Sequence, residues 1–280
     1  MTDLYSVRDG FATLGPDLVH AMERLDNCFL AWARECKAEQ MLFPPVIPAP
    51  DLALLDYFLN FPHLALLTAP LKSPVSADDP IVQDRSVPAG RLGDSEYALT
   101  SAACYSVYLE HRSIRLSGPR RVTTIAKCFR NEEHYDGLRR LRGFTMREIV
   151  CMGSREDVLD HLATFRPKVL EFARRLGLDL AVETASDPFF AKDGGRALMA
   201  KLFPVKEEFV HQESLAIGSL NFHRNFFGER CGITLEDGDP AFTGCVAFGL
   251  ERWIAALLET HVSIADVVDR VTEATSWTTC

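Results

Sequence analysis

Between Gly15 and Lys37 apolar residues return every third or fourth position, at Leu18, Met22, Leu25, Phe29 and Trp32. Pro16 falls where a first helical turn needs no N–H, so the spacing predicts a long amphipathic helix. The MLFPPVIP that follows reads as a short extended segment, because Pro44, Pro45 and Pro48 exclude helix and confine pairing to an edge or a bulge. Asp51 to Leu67 reads as helix and then irregular chain. Lys72 to Gly93 is turn-rich and poor in apolar residues, which predicts a surface loop and a candidate lid. Tyr97 to Leu116 reads as a short strand running into a helix, with Cys104 early in that helix. Val122 to Arg130 and Gly143 to Met152, rich in β-branched and aromatic residues, flank a charged connection in the pattern of a hairpin. Ser154 to Leu176 predicts a further helix, capped by Ser154 and Asp157, stopped by Gly177, and kinked or broken at Pro167.

Beyond Leu178 the pattern is strand-like in LDLAVETA, ALMAKLFPV, EEFVHQESLAIGSLNFH and ERCGITLED. GCVAFGLERWIAALLET then reads as a strand turning through Gly249 into a terminal amphipathic helix. Helices cluster early and late, with consecutive strands and short links between them. The expected fold class is therefore α+β, a mainly antiparallel sheet flanked by helices, in a single domain over residues 1–280.

Composition narrows the function classes. A net charge of −9 argues against a broad nucleic-acid surface, which needs a clustered positive field. No apolar run approaches a membrane span, and MTDLYSVRDGFATL lacks the charged and apolar regions of a signal peptide, so a cytoplasmic protein is expected. The eight cysteines are then thiols or metal ligands rather than a disulfide framework. The strongest local chemistry lies in Arg120 to Met152. There Arg130 and Glu132 close one strand, Arg142, Arg147 and Glu148 belong to the next, and Phe144 offers a stacking face. Guanidinium forks beside an aromatic ring suit a nucleoside triphosphate. No glycine-rich phosphate loop is present, so side chains must hold the nucleotide.

CFRNE, the basic loop and RGFTMREI resemble motif 2 of the class II aminoacyl-tRNA synthetases, and GCVAFGLERW resembles their motif 3. The helix ending in MLFPPVIP is similar to motif 1, the dimer-forming element, and SDPFF and AIGSLNFH match core segments of the seryl branch. The resemblance covers most of residues 14 to 262. It implies a homodimer that binds ATP with Mg2+. Arg130 would bind the α-phosphate and the amino-acid carboxylate, and Arg252 the γ-phosphate. Phe144 and Arg252 would sandwich the adenine, Glu132 would accept from its amino group, and Arg142 or His134 would steady the outer phosphates. In the synthetase pattern a glutamate ahead of the serine-rich segment holds Mg2+. Spacing places Leu215 there, with Glu213 nearby, which leaves that ligand open.

The zinc-dependent seryl type holds Zn2+ with two cysteines and a glutamate, and Cys104, Glu148 and Cys245 fall at positions resembling that pattern. Two thiolates and a carboxylate suit zinc and leave a fourth position open for an α-amino group. Cys28, Cys36, Cys151, Cys231 and Cys280 read as ordinary small apolar residues, and Cys128 stays ambiguous on the side of Arg130. This core type occurs in archaeal seryl-tRNA synthetases and in short amino acid:[carrier protein] ligases that lack a tRNA-binding domain. The short flanks of this chain, without a coiled-coil arm, fit the ligases and make tRNA an unexpected partner. The implied activity is ATP-dependent activation of a small amino acid, glycine or alanine, and transfer to the phosphopantetheine thiol of a carrier protein. A truncated synthetase charging tRNA and a non-catalytic binding subunit are the alternatives. Arg139 and Arg140 are candidates for docking an acidic carrier, against the plainer reading of a solvated loop.

Overall fold

The structure, a computed structural model, describes residues 4–72, 74–76, 79–83, 86–186, 190 and 205–276. The chain opens with a tight hairpin, β1 (Tyr5–Arg8) and β2 (Phe11–Leu14), followed by the long helix α1 (Pro16–Glu35). Short pieces come next: β3 (Glu39–Gln40), β4 (Val46–Pro48), α2 (Ala49–Leu54), α3 (Tyr57–Asn60), β5 (Leu67–Thr68), α4 (Pro80–Gln83), β6 (Tyr97–Leu99) and α5 (Cys104–Glu110). The centre is the hairpin β7 (Arg120–Phe129) and β8 (Gly143–Gly153), then α6 (Arg155–Arg175). The remainder is β9 (Leu180–Ala185), β10 (Lys206–His211), β11 (Leu215–Arg224), α7 (Phe226–Cys231), β12 (Phe242–Gly249), α8 (Leu250–Thr260) and α9 (Ile264–Ser276).

Nine strands form one sheet in the order β1-β2-β8-β12-β11-β10-β9, with β7 on β8 and β3 on β7. Its pairings are antiparallel except β2 on β8 and β3 on β7. One face is covered by α1, α6, α8 and α9, whose buried apolar residues form the largest core around Phe29, Phe172, Phe248 and Trp253. The other face carries α5 and α7 over a smaller cluster that contains Cys104, Val150 and Cys245. The proline-bearing MLFPPVIP supplies only β4, an edge strand in a separate sheet ordered β4-β6-β5, as ring-locked backbone without N–H donors requires.

Strand alternation sorts β8 between the two layers. Ile149 and Cys151 enter the large core, while Val150 and Met152 enter the small one. Arg147 therefore points into the helix layer, 1% exposed, where Nε and Nη2 each donate to an Asp26 carboxylate oxygen at 2.7 Å.

Several expectations are revised. Residues of ERCGITLED do not form a strand: Glu229 to Cys231 finish α7, which Gly232 ends at φ +65°, and only single bridges at Thr234 follow. The segment is too short and too irregular in its alternation for period alone to separate helix from strand. Helix α6 runs through Pro167 without breaking. Ala163 and Pro167 lie on its exposed face, so water can satisfy the carbonyl that the proline leaves unpaired. The Ser154–Asp157 capping box is formed as expected. The proposed strand ALMAKLFPV lies almost wholly outside the described residues. Lys72 to Gly93 is partly described and carries α4 and an Arg91–Asp79 ion pair at 2.9 Å.

Two elements had no forecast. The β1–β2 turn is Asp9-Gly10, both at positive φ, the signature of a tight hairpin. Helix α9 buries Val267, Val271 and Ala274 on one stripe. Among the described residues no helix is long and apolar enough to cross a membrane.

Asp26→Ala is expected to cost about 3 kcal/mol in urea unfolding, because it strands a buried guanidinium. An Asp26→Leu/Arg147→Met double variant should lose much less. A single-variant loss no larger than that of an exposed carboxylate would contradict this assignment.

Candidate active site

The register of the central strands sets the site. Glu148 faces Ala247, and Val150 faces Cys245 across β8 and β12. Cys245 in turn faces Asn221, and Ala247 faces Ser219 across β12 and β11. Glu208 on β10 faces Ser219. Side chains of directly opposed residues share a face, so Phe144, Met146, Glu148, Cys245, Asn221, Ser219 and Glu208 present to one side of the sheet.

Four of the expected nucleotide residues line one pocket: Arg130, Glu132, Phe144 and Arg252. Arg130 follows β7, donates from Nε to the Ser101 carbonyl at 3.1 Å, and lies over the Phe144 ring with Cζ 5.1 Å from its centre. Glu132 accepts from Arg140 Nη1 at 3.0 Å. Arg252 enters from the first turn of α8, where the chain leaves β12 through Gly249. Its Nε donates to the Arg139 carbonyl at 2.9 Å and its Nη1 to the Ala216 carbonyl at 3.0 Å. Burial, and then neighbouring Arg130, bring Arg252 down to about 10, which leaves it a cation at neutral pH. Neutral carbonyls rather than a carboxylate hold this charge in place, so it remains available to an anion.

Arg142 and His134 are placed elsewhere. Arg142 Nε donates to Tyr135 Oη at 2.7 Å and its guanidinium stacks over that ring, while its N–H donates to the Gly10 carbonyl. His134 is exposed in the connection and does not line the pocket. Arg139, from the same connection, does.

Sequence reasoning passed over Lys206, Glu208, Ser219 and Glu251, which also line it. Lys206 Nζ lies 2.9 Å from Glu208 Oε1. Glu208 is the acidic group this region brings to the pocket, whereas Glu213 is exposed in the β10–β11 turn and Leu215 is buried. EEFVHQESLAIGSLNFH folds back with His211 opposite Leu215, and a bulge between Phe209 and Val210 then sets Glu208 opposite Ser219. Glu251 supports the pocket wall: its Oε2 accepts the Thr145 N–H at 2.7 Å, and its Oε1 accepts Thr145 Oγ1 at 2.7 Å and Lys127 Nζ at 3.3 Å.

Beside this pocket Cys104, Glu148 and Cys245 bring one donor atom each to within 4.8 Å of one another, and all three are buried. Glu148 Oε1 accepts the backbone N–H groups of Ala103 and Cys104 at 2.8 and 3.1 Å, whereas Oε2 is buried with no hydrogen-bond partner among the described residues. Asn221 Nδ2 donates to Cys245 Sγ at 3.4 Å. The hydrogen bond with Cys245, then burial and the Glu148 carboxylate, hold the Cys104 thiol well above its usual range. For Cys245 the Cys104 bond pulls downward, but burial and Glu148 prevail and push it up to about 11. Three buried donors without a positive charge among them, one oxygen unpartnered, are what a divalent cation fits. Cys28, Cys36, Cys151 and Cys231 form no disulfide among the described residues and lie outside the cluster. Cys128 pairs with Phe144 on the site face yet is outside it as well, and its thiol is raised by burial. Cys280 lies outside the described residues.

A nine-stranded, mostly antiparallel sheet with an arginine clamp on its helix-poor face defines a class of protein, and the comparisons agree. Residues 92–261 match the family described as tRNA synthetase class II core domain (G, H, P, S and T). The crystal structure of M. kandleri SerRS in complex with A. aeolicus tRNASec superposes with a TM-score of 0.81 at 20% identity, over 96% of this chain and 57% of that one. Amino acid–[acyl-carrier-protein] ligase 1 of Bradyrhizobium diazoefficiens is 33% identical over 275 residues, covering 90% of this chain and 82% of the relative. Type-2 serine–tRNA ligase of Methanococcus maripaludis is 24% identical, and the chain spans only 47% of its length. The chain belongs to the class II synthetase core family, in its amino acid–[acyl-carrier-protein] ligase branch.

Glu251→Ala is expected to lower stability by roughly 2 kcal/mol, since it leaves the buried Thr145 N–H without an acceptor. Glu251→Gln keeps an acceptor and should lose less. Urea unfolding of both variants measures the difference, and equal losses would refute the role given to the Thr145 bond.

Proposed function

We propose that the protein, working as one catalytic domain over residues 1–280, activates a small amino acid with ATP and passes it to the phosphopantetheine thiol of a carrier protein. The observation that carries this reading is the meeting of Arg130, Phe144 and Arg252 in one pocket beside the three-donor cluster of Cys104, Glu148 and Cys245. Membership of the ligase branch supports the same conclusion.

In the first step the amino-acid carboxylate oxygen attacks the α-phosphorus, and the bond to the β-phosphate oxygen breaks. Pyrophosphate leaves with that electron pair. In the second step the carrier thiol attacks the acyl carbon and AMP departs, its phosphate taking the pair from the broken acyl–oxygen bond. No protein nucleophile is needed. Arg130 positions the carboxylate against the α-phosphate, Arg252 neutralises the outer phosphates, Phe144 and Arg252 enclose the adenine, and Glu132 accepts from its amino group. Glu208, facing Ser219, is the acidic group offered to the Mg2+ that accompanies ATP.

Cys104, Glu148 and Cys245 are the residues to hold zinc, and the unpartnered Glu148 Oε2 supports that assignment. Bound there, zinc would supply a Lewis-acid position for the substrate's α-amino group. With the amino group held by that metal, the substrate we propose is a small amino acid, glycine or alanine. The exposed apolar side chains of Leu42, Leu67 and Tyr97, on or beside the three-stranded sheet, support a homodimer through contacts of that sheet. A cytoplasmic location completes the reading.

Charging of a tRNA is the second reading, favoured by the likeness to Type-2 serine–tRNA ligase. Acylation of purified tRNA would select it, whereas labelling of holo but not apo carrier protein selects the first. Amino-acid-dependent exchange of pyrophosphate into ATP is expected, and Arg252→Ala should slow it roughly 100-fold. Exchange that ignores every amino acid would remove the activation step. Metal analysis should find zinc in equal amount to protein, lost on Cys104→Ala or Cys245→Ala. An active, metal-free chain would remove the zinc assignment and leave the ATP site standing.

A further inference from the structure

Arg139 belongs to the connection between β7 and β8, but its guanidinium is engaged by protein groups. Nη1 donates to both carboxylate oxygens of Glu259 at 2.6 and 2.7 Å, and Nη2 donates to Ser214 Oγ at 2.8 Å. Asp136 lies farther off, at 3.7 Å. The carbonyl of the same residue accepts Arg252 Nε at 2.9 Å.

These contacts join three separate segments. Glu259 stands on α8 about two turns beyond Arg252, on the same face of that helix. Ser214 immediately precedes β11, whose Ala216 carbonyl accepts Arg252 Nη1 at 3.0 Å. The two carbonyls that cradle Arg252 therefore come from different segments, the β7–β8 connection and the start of β11, and the Arg139–Ser214 bond spans those segments. The Arg139–Glu259 pair ties the connection to the helix that carries Arg252. Leu138, beside Arg139, is buried in the large core, and Gln212 and Glu213 of the β10–β11 turn sit at φ 46° and 60°.

We propose that Arg139 is the positioning residue for Arg252, its side chain fixing the spacing and height of the two carbonyls that orient the Arg252 guanidinium toward the nucleotide. The inference rests on reading this pocket as the ATP site. It assigns Arg139 a role inside the molecule in place of carrier docking or a solvated loop.

The test is equilibrium binding of ATP, together with KM for ATP and for the amino acid in pyrophosphate exchange, on five variants: Arg139→Ala, Glu259→Gln, Ser214→Ala, R139E and the exchanged pair R139E/E259R. Arg139→Ala should weaken ATP about tenfold while the amino-acid KM stays within about twofold. Glu259→Gln and Ser214→Ala should give smaller shifts in the same direction. R139E/E259R should recover part of the affinity that R139E alone loses. Ser214→Ala, at an exposed turn, carries the test if Arg139→Ala fails to fold. Unchanged ATP affinity in the folded variants overturns the proposal. So does a parallel rise in both KM values with a fall in melting temperature, which marks a merely structural role. A chain that binds ATP yet exchanges pyrophosphate with no amino acid defeats the activity proposed above, and the positioning role is then judged on the binding constants.

Discussion

Strand β8 buries two charged residues side by side, Arg147 and Glu148, each 1% exposed. Consecutive strand residues point to opposite faces, so these two charges enter different layers and are satisfied by different partners. Arg147 meets Asp26 of α1, and Glu148 meets the N–H groups at the start of α5. A one-residue slip would exchange the two, leaving a guanidinium among thiols and a carboxylate against the helix layer with neither partner in reach. The cost would be several kcal/mol per stranded charge, far more than a surface pair could offset. The pair thus acts as a register pin for β8, and β7 and β12 inherit their alignment from it through continuous antiparallel ladders.

The functional face depends on that pin. Phe144, Met146 and Glu148 follow at two-residue intervals along one strand, so the ring that stacks with Arg130 and the carboxylate of the cysteine cluster stand on one surface. The charge pattern changes along that surface: Arg130 and Arg252 lie at one end, and unneutralised Cys104, Glu148 and Cys245 at the other. Such a surface suits an anion at one end and a cation at the other. Arg252 shows how the anion site stays competent, since two backbone carbonyls fix its orientation without cancelling its charge. A carboxylate in their place would compete with a phosphate for the same guanidinium.

Much of this arrangement was legible in the sequence, and the limits have physical causes. The β7–β8 hairpin, the turn of GLERW from strand into helix, and the Ser154 cap follow from local pattern and capping chemistry. Which arginine of the connection reaches the pocket did not follow, because tertiary anchors decide it. Burial of Leu138 and the stacking of Arg142 on Tyr135 turn Arg139 inward and Arg142 away. Glu208 was missed because the β10–β11 turn places two non-glycine residues at positive φ, where no Asn-Gly or Asp-Gly signal marks the fold-back. The β1–β2 hairpin carries that signal at Asp9-Gly10. There Gly10 is required twice over, since a Cβ would also meet the Tyr135 ring at 2.8 Å.

The cysteine cluster illustrates the opposite case, in which no local pattern exists to be read. Its donors come from a helix start, a central strand and the neighbouring strand, far apart in the chain, so only the folded sheet creates the cluster. That separates it from sites built on closely spaced cysteines, where the metal can organise a short loop unaided. Here the protein has already oriented the carboxylate: one Glu148 oxygen is committed to the N–H groups that begin α5, and the other has no hydrogen-bond partner among the described residues. The committed oxygen locks α5, and with it Cys104, onto the strand that bears Glu148. Assembly of the cluster is thereby linked to the same strand register that Arg147 and Asp26 hold from the far side of the sheet.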